Sequence, residues 1–434
     1  MVSKSKIKTT GKKSSLKLIL ISISVIILFV TWNMEPQVDT LGARLAFRSS
    51  VPHDLFGPFA TWYFGSIGNE LFSWSQQARI IQLLLTTISG LLLLDIDRWK
   101  RKRTLVILCI ALLYSSNVNR DAFSLAFVLL GFALTLFCAS KRKFRWTKLL
   151  LIIAGLSILI GSLMRPYFSF LSIPILFLIL ESLRFAQKLI ALVTLTLLPL
   201  LINGFIAEKY ELSKSFPSQQ PIAQDLTYFA CQTNNIIIQE QAFRVLKIAN
   251  ADLVPSKLCA LSSIHSGFLI SGDPWKGVSP AFTLFQEEQE REYAQFRNGY
   301  VGVVLSRPDL FLKLKLHNLI EVVSAKGQMQ HFNALHKNPN DYIRNLALLL
   351  QFFDKIGLFS PLFFLLIIIC SKFLKVWPKE NTLTRDTSFQ IATISLFCFS
   401  LIYVGAIGRY TYISSILLGL LCVQIPGKFK GFVR

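Results

Sequence analysis

The chain has 434 residues, 53% hydrophobic and only 16% charged, with a mean hydropathy of +0.51, which excludes a soluble globular domain. Its formal net charge is +22, yet the Lys and Arg residues stand in short blocks at the ends of apolar runs. Retention on the cytoplasmic side and anionic lipid account for such blocks, so no nucleic acid is expected as a partner.

Repeated apolar runs separated by short charged loops predict an all-α polytopic membrane protein, since each run can satisfy its backbone in lipid only as a helix. Lys4, Lys6, Lys8, Lys12, Lys13 and Lys17 precede the first run, Leu18 to Trp32, with no acidic residue among them. That places the N-terminus in the cytoplasm. No small-residue cleavage pattern follows, so the run reads as a retained span rather than a signal peptide. A first outer loop covers 33–77 and carries Glu35, Asp39, Arg44, Arg48 and the aromatics Trp62, Tyr63, Phe64 and Trp74. Aromatics at this density suit one or two helices lying among the lipid headgroups.

The second span, Ile80 to Leu94, leads to an inner basic block from Asp97 to Arg103. The third, Thr104 to Tyr114, exits at Asn119-Arg120-Asp121, and the fourth, Ala122 to Ala139, returns to the basic block Lys141 to Lys148. The fifth ends outside at Met164-Arg165-Pro166-Tyr167. A sixth span, Phe168 to Leu180, and a seventh, Leu189 to about Phe205, flank a weak inner loop with Arg184 and Lys188.

The longest polar stretch, 207–345, falls outside by parity and is large enough for a mainly helical extracytoplasmic domain between spans seven and eight. Within it, Glu287 to Glu292 reads as a solvated helix face, and Arg307 to Leu316 as a Pro-started amphipathic helix resting on the bilayer. The eighth span centres on Leu358 to Ile369, the ninth covers Ile391 to Val404, and Gly405 to Tyr410 turns outside before the tenth. About ten transmembrane helices with both termini inside fit every basic block. The expected parts are a bundle over 1–206, the outer domain over 207–345 and a C-terminal set of spans over 346–434.

Five of the seven cysteines lie in or beside apolar runs, whereas Cys231 and Cys259 share the outer segment. An oxidising compartment makes those two a predicted disulfide. No Cys/His metal spacing and no Gly-rich phosphate loop occur, so no cofactor is expected, although Asp39 and Asp121 could share a divalent ion.

With this topology Asp39, Arg120, Asp121, Arg165 and Arg409 all stand at outer span ends. Taken singly they are snorkelling charges, and Asp121 is a helix-starting residue. Taken together, arginines in three outer turns run against the positive-inside bias and point to a held anion, for which phosphate suits the guanidinium.

Asn119-Arg120-Asp121-Ala122-Phe123, Met164-Arg165-Pro166-Tyr167, Arg307 to Leu312 and Gly408-Arg409-Tyr410 resemble recurring signatures of the bacterial GT-C-type polytopic glycosyltransferases. The resemblance implies a sugar donor linked to polyprenyl phosphate, used at the outer face of the cytoplasmic membrane. It also implies an acidic residue in the first outer loop, which maps onto Asp39 with Glu35 as the near alternative; the paired acids of the family are missing here.

The chemistry stands on the residues as well. A carboxylate such as Asp39 is the general base an acceptor hydroxyl needs for inverting attack at the anomeric carbon. Arg165 and Arg409, with Arg120 helping or held by Asp121, would stabilise the departing lipid phosphate. The acceptor is a glycan, a lipid or a protein. An O-antigen-type polymerase or ligase explains the arginines without Asp39, and a lipid-linked sugar flippase would need polar residues deep in the spans.

Overall fold

In the computed structural model the described residues are 4–34, 38–49, 57–68, 72–96, 100–140, 145–165, 185–213, 219–249, 287–324 and 412–422, with short pieces at 36, 216, 251–259, 285 and 341–370. Every extended regular element among them is a helix. Four helices are long and apolar enough to cross a membrane by length and composition: Ser14–Thr31, Trp74–Asp95, Arg120–Cys138 and Thr147–Met164. The chain is a helical, multi-pass membrane protein. The expected sixth and ninth spans, and most of the eighth, lie outside the described residues, so the count of ten rests on the sequence.

The bundle is built from α1 (Lys4–Thr31), α4 (Trp74–Asp95), α5 (Arg101–Ser115), α6 (Arg120–Ser140) and α7 (Thr147–Met164). Between α1 and α4 come two short helices, α2 (Val38–Arg48) and α3 (Pro58–Ser66). Helix α6 sits at the centre, with 89% of its apolar window buried against 22% for that of α1. Its Leu125, Val128, Leu129 and Phe132 meet Leu108 and Leu112 of α5 and Ile158 of α7 in one apolar core. The short C-terminal helix Tyr412–Cys422 adds Leu417 and Leu420 to that core.

Small residues let α6 and α7 approach closely. A Cβ on Gly131 would stand 2.6 Å from Ile158 Cγ1 and 2.9 Å from the Ala154 carbonyl. One on Gly161 would stand 2.9 Å from Val128 Cγ2. In lipid, where apolar surface gives no preference for protein over acyl chain, close packing of this kind holds helices together. The Ser124 hydroxyl adds a hydrogen bond to the Gly161 carbonyl at 2.5 Å.

The second span starts earlier than its apolar run. Ser73 and Gln76 close a capping box, which nucleates α4 from Trp74 and draws residues 74–77, expected in the outer loop, into the helix. At the opposite end of α4, Asp95 pairs with Lys17 of α1. Arg101, opening α5, donates to the Leu94 carbonyl at 3.1 Å. The basic blocks and the Asn119–Arg165 segments therefore stand at opposite ends of the bundle.

After α8 (Phe185–Lys209), four helices make a separate core: α9 (Gln219–Gln232), α10 (Ile236–Ala249), α11 (Glu290–Ser306) and α12 (Pro308–Ser324). Leu226, Phe229, Leu246, Phe296 and Leu314 are buried in it. The Gln219 side chain accepts from the Phe285 amide at 2.7 Å, fixing the chain as it returns to α11. Asp225 of α9 lies 2.8 Å from the Lys315 ammonium of α12 and accepts from the Tyr300 hydroxyl of α11 at 2.6 Å. Cys231 and Cys259 form the disulfide, with Cα atoms 5.1 Å apart. Glu288, Glu290 and Glu292 are exposed at the start of α11, where carboxylates suit the helix dipole. On α12 Leu312 and Leu316 are exposed while Leu314 and Lys315 face the core.

Candidate functional site

The site is the end of the bundle where α1, α5 and α7 finish and α4 and α6 begin. Asn119 starts α6 there: its Oδ1 accepts from the Ala122 amide at 2.6 Å, taking one of the orphan N–H groups of the first turn. Asp121 follows in that turn, favoured by the positive end of the helix dipole. Arg120, beside it and only 8% exposed, is opposed by the same dipole, so helix stability does not explain a cation there.

Arg165 ends α7. The residue before a proline is driven out of the helical region, and Arg165 accordingly adopts an extended backbone with φ −144° and ψ 95°. This turns its side chain onto α6. Nη2 donates to Asp121 Oδ2 at 3.1 Å, and Nε stands 2.7 Å from Oδ1. Two residues far apart in sequence thus form a buried two-point ion pair. The sequence had left Arg120 as the possible partner of Asp121; the pair described is Arg165 with Asp121.

A second arginine, unremarked in the sequence, organises the same end. Arg79 of α4 is fully buried. Its Nη1 donates to the Trp32 carbonyl at 2.8 Å, Nη2 to Met34 at 2.7 Å and Nε to Ser116 at 2.8 Å. It thereby closes the C-terminal ends of α1 and α5, whose carbonyls have no helical partner and carry the negative end of the dipole. One turn on, Gln82 donates to the Asn119 carbonyl at 3.1 Å, and Thr86 donates to the Ser115 hydroxyl at 2.8 Å. The signal was there to read, because Arg79, Gln82 and Thr86 recur at helical spacing on one face of an otherwise apolar run.

Helices α2 and α3 roof this end. Gly57, at φ +88°, permits the turn into α3, and Pro58 suits its first position. Arg44 of α2 donates to the carbonyls of Phe64 and Ile67, both at 2.8 Å, and its guanidinium lies 5.0 Å from the Trp74 ring. Burial, and secondarily the neighbouring Arg48, lower its pKa. Phe64 packs with Phe123, two residues after Asp121, and with Met164, which precedes Arg165. Tyr63 stands 4.7 Å from the Phe123 ring, and burial pushes its phenol pKa up. The Phe59 amide donates to Asn203 of α8 at 2.9 Å, anchoring the roof to a third side.

Asp39 belongs to the first turn of α2. Its side chain, like Glu35 and Arg409, lies outside the described residues, so the structure brings together Arg120, Asp121 and Arg165. Arg44, Arg79, Arg120 and Arg165 are all buried at this end with Asp121. Such an electropositive enclosure, with an aromatic cover, can hold an anion joined to an apolar or sugar group. Among the described residues no group of three or more His, Cys, Asp or Glu side chains stands where it could hold a metal ion.

No family model matches the chain, and no curated protein does. Among solved structures it is similar to the crystal structure of ArnT from Cupriavidus metallidurans in the apo state. The identity is 12% and the TM-score 0.31, over 94% of this chain and 77% of that one. A score that low carries no argument about fold or activity.

Proposed function

We propose that the protein is a glycosyltransferase of the cytoplasmic membrane that moves a sugar from a polyprenyl-phosphate carrier to an acceptor at the outer face. The observation that carries this reading is the Asp121–Arg165 pair beside Arg120, buried under α2, the helix that bears Asp39. A lipid phosphate needs cations at the bilayer edge, and its isoprenoid tail needs an apolar wall; the end of α6 and α7 offers both. Arg165 and Arg120 receive the phosphate, with Arg409 as a third donor. Asp121 holds the Arg165 guanidinium in place before the ligand arrives, so little reorganisation is left for the transition state.

Asp39 takes the proton of the acceptor hydroxyl as that oxygen attacks the anomeric carbon, and the carrier phosphate leaves with the bonding electrons. Glu35 is the alternative base. The outcome is inversion, and no step calls for a metal. A membrane assay with a polyprenyl-phosphate hexose tests the roles. Asp39→Asn abolishes transfer and keeps carrier binding, while Arg165→Ala weakens both. Full transfer by Asp39→Asn, with Glu35→Gln also active, moves the protein to the polymerase or ligase class, which needs no such base.

A further inference from the structure

Two amides beside the ion pair have their orientations fixed by the backbone, and each leaves one polar atom over. Gln82 Nε2 donates to the Asn119 carbonyl, so its Oε1 is the remaining atom and can only accept. Asn119 Oδ1 accepts from the Ala122 amide, so its Nδ2 is the remaining atom and can only donate. Backbone C=O and N–H groups leave no freedom to flip either amide. Gln82 is 0% exposed and Asn119 1% exposed, and neither remaining atom has a hydrogen-bond partner among the described residues. Ser162, one turn before Arg165 on α7, has a buried hydroxyl in the same condition.

Structures rarely tolerate buried polar atoms of this kind, and here an acceptor and a donor are left over on two residues already joined by a hydrogen bond. The complementary group donates to Oε1 and accepts at Nδ2 together. A hydroxyl does both, whereas a phosphate oxygen, a carboxylate or an ammonium does one.

Resting on the transferase reading above, we infer that Gln82 and Asn119 form the sugar-reading part of the donor site. They take a ring hydroxyl of the glycosyl group while Arg165 and Arg120 take the phosphate. The division follows the chemistry: cations for the anion at the helix ends, and neutral amides for the neutral polyol beside it. An enclosure that reads a hydroxyl through buried amides discriminates strongly, because a donor lacking that hydroxyl leaves both atoms unsatisfied.

The test uses the full chain in nanodiscs and two probes, a polyprenyl phosphate and the same phosphate carrying a hexose. The wild type is expected to prefer the hexosyl probe. Gln82→Met and Asn119→Ser each reduce hexosyl affinity about tenfold, the equivalent of ~1.4 kcal/mol, and leave the bare phosphate unchanged. Asn119→Ser keeps an oxygen able to cap α6, so it decides the matter if Gln82→Met fails to fold.

Equal loss for both probes, or an unchanged preference in both variants, overturns the subsite; the amides then serve an ordered water or another side chain. Arg165→Ala is a separate arm. If it leaves binding of the bare phosphate intact, the lipid-phosphate reading fails whatever happens at Gln82 and Asn119. If it removes that binding while the amide variants behave as wild type, only the subsite fails.

Discussion

Asp121 and Arg165 show how much one contact decides at the residue scale. Both are more than nine-tenths buried, so removing one charge strands the other in a medium that solvates it poorly. Asp121→Asn is expected to cost about 3–5 kcal/mol, read as a lower Tm in detergent. The paired replacement Asp121→Leu with Arg165→Met recovers most of that loss, since an apolar pair has no desolvation to offset. Its transfer activity stays lost, which separates the fold's use of the pair from the chemistry's. The sequence made the need for a partner legible, because an outer arginine without one runs against the positive-inside bias. It did not reveal which aspartate served which arginine. That depends on the backbone turn before Pro166, a matter of three-dimensional geometry between segments 44 residues apart. For Arg79 the polar face of α4 was legible and the partners were not, because they are carbonyls, which every residue has.

Helices meet through what they lack as much as through what they carry. Gly131 and Gly161 admit no Cβ without displacing α7 or α6, whereas Gly155 has nothing within 4 Å of where one would stand. Gly131→Ala is expected to cost roughly 1–3 kcal/mol by overpacking. Gly155→Ala should instead stabilise by up to about 1 kcal/mol through helix propensity. Thermal melts of the two variants side by side check this. A loss at Gly131 should also lower transfer, because spreading α6 from α7 draws Asp121 away from Arg165. The period of apolar residues gave away the existence of these helices. Their starts were less legible where a polar capping box outranked hydropathy, as at Ser73.

In the core formed by α9 to α12, burial raises the Asp225 carboxyl above its usual value of 3.8, against the opposing pull of Lys315 and the Tyr300 hydrogen bond. A carboxyl raised in this way favours the folded state most when protonated. The stability it contributes is therefore full below pH 3.8 and declines as the pH climbs through the raised value. Denaturant midpoints measured over that interval should fall with pH in the wild type and stay flatter in Asp225→Asn, apart from the common background of the other carboxylates.

For the molecule as a whole, the Cys231–Cys259 disulfide closes a loop of 28 residues, which restricts the unfolded chain by roughly 3–4 kcal/mol on the chain-entropy estimate. Neither thiol should react with maleimide in denatured protein until a reductant is added, and Cys231→Ser should melt the α9–α12 core first. The cysteine pairing was legible because only two of seven lay in one polar segment. The orientation of the bundle is a proposal that fusions can test. A reporter active only outside the cytoplasm should work after Ser50 or Ser271 and fail after Arg101, Lys143 or Lys379. Activity after Lys143 would turn the Arg120 and Arg165 ends of α6 and α7 to the cytoplasmic side and end the outer-face site.

Arg79 also constrains how the protein is made. Helix α4 is synthesised before α5, so when α4 leaves the ribosome one of the three carbonyls that will hold its arginine has not yet been translated. Until Ser116 emerges, water or a headgroup at that end of α4 must take the place of its carbonyl. The shell of Arg79 therefore closes only when α5 follows, which makes the assembly of α1, α4 and α5 interdependent.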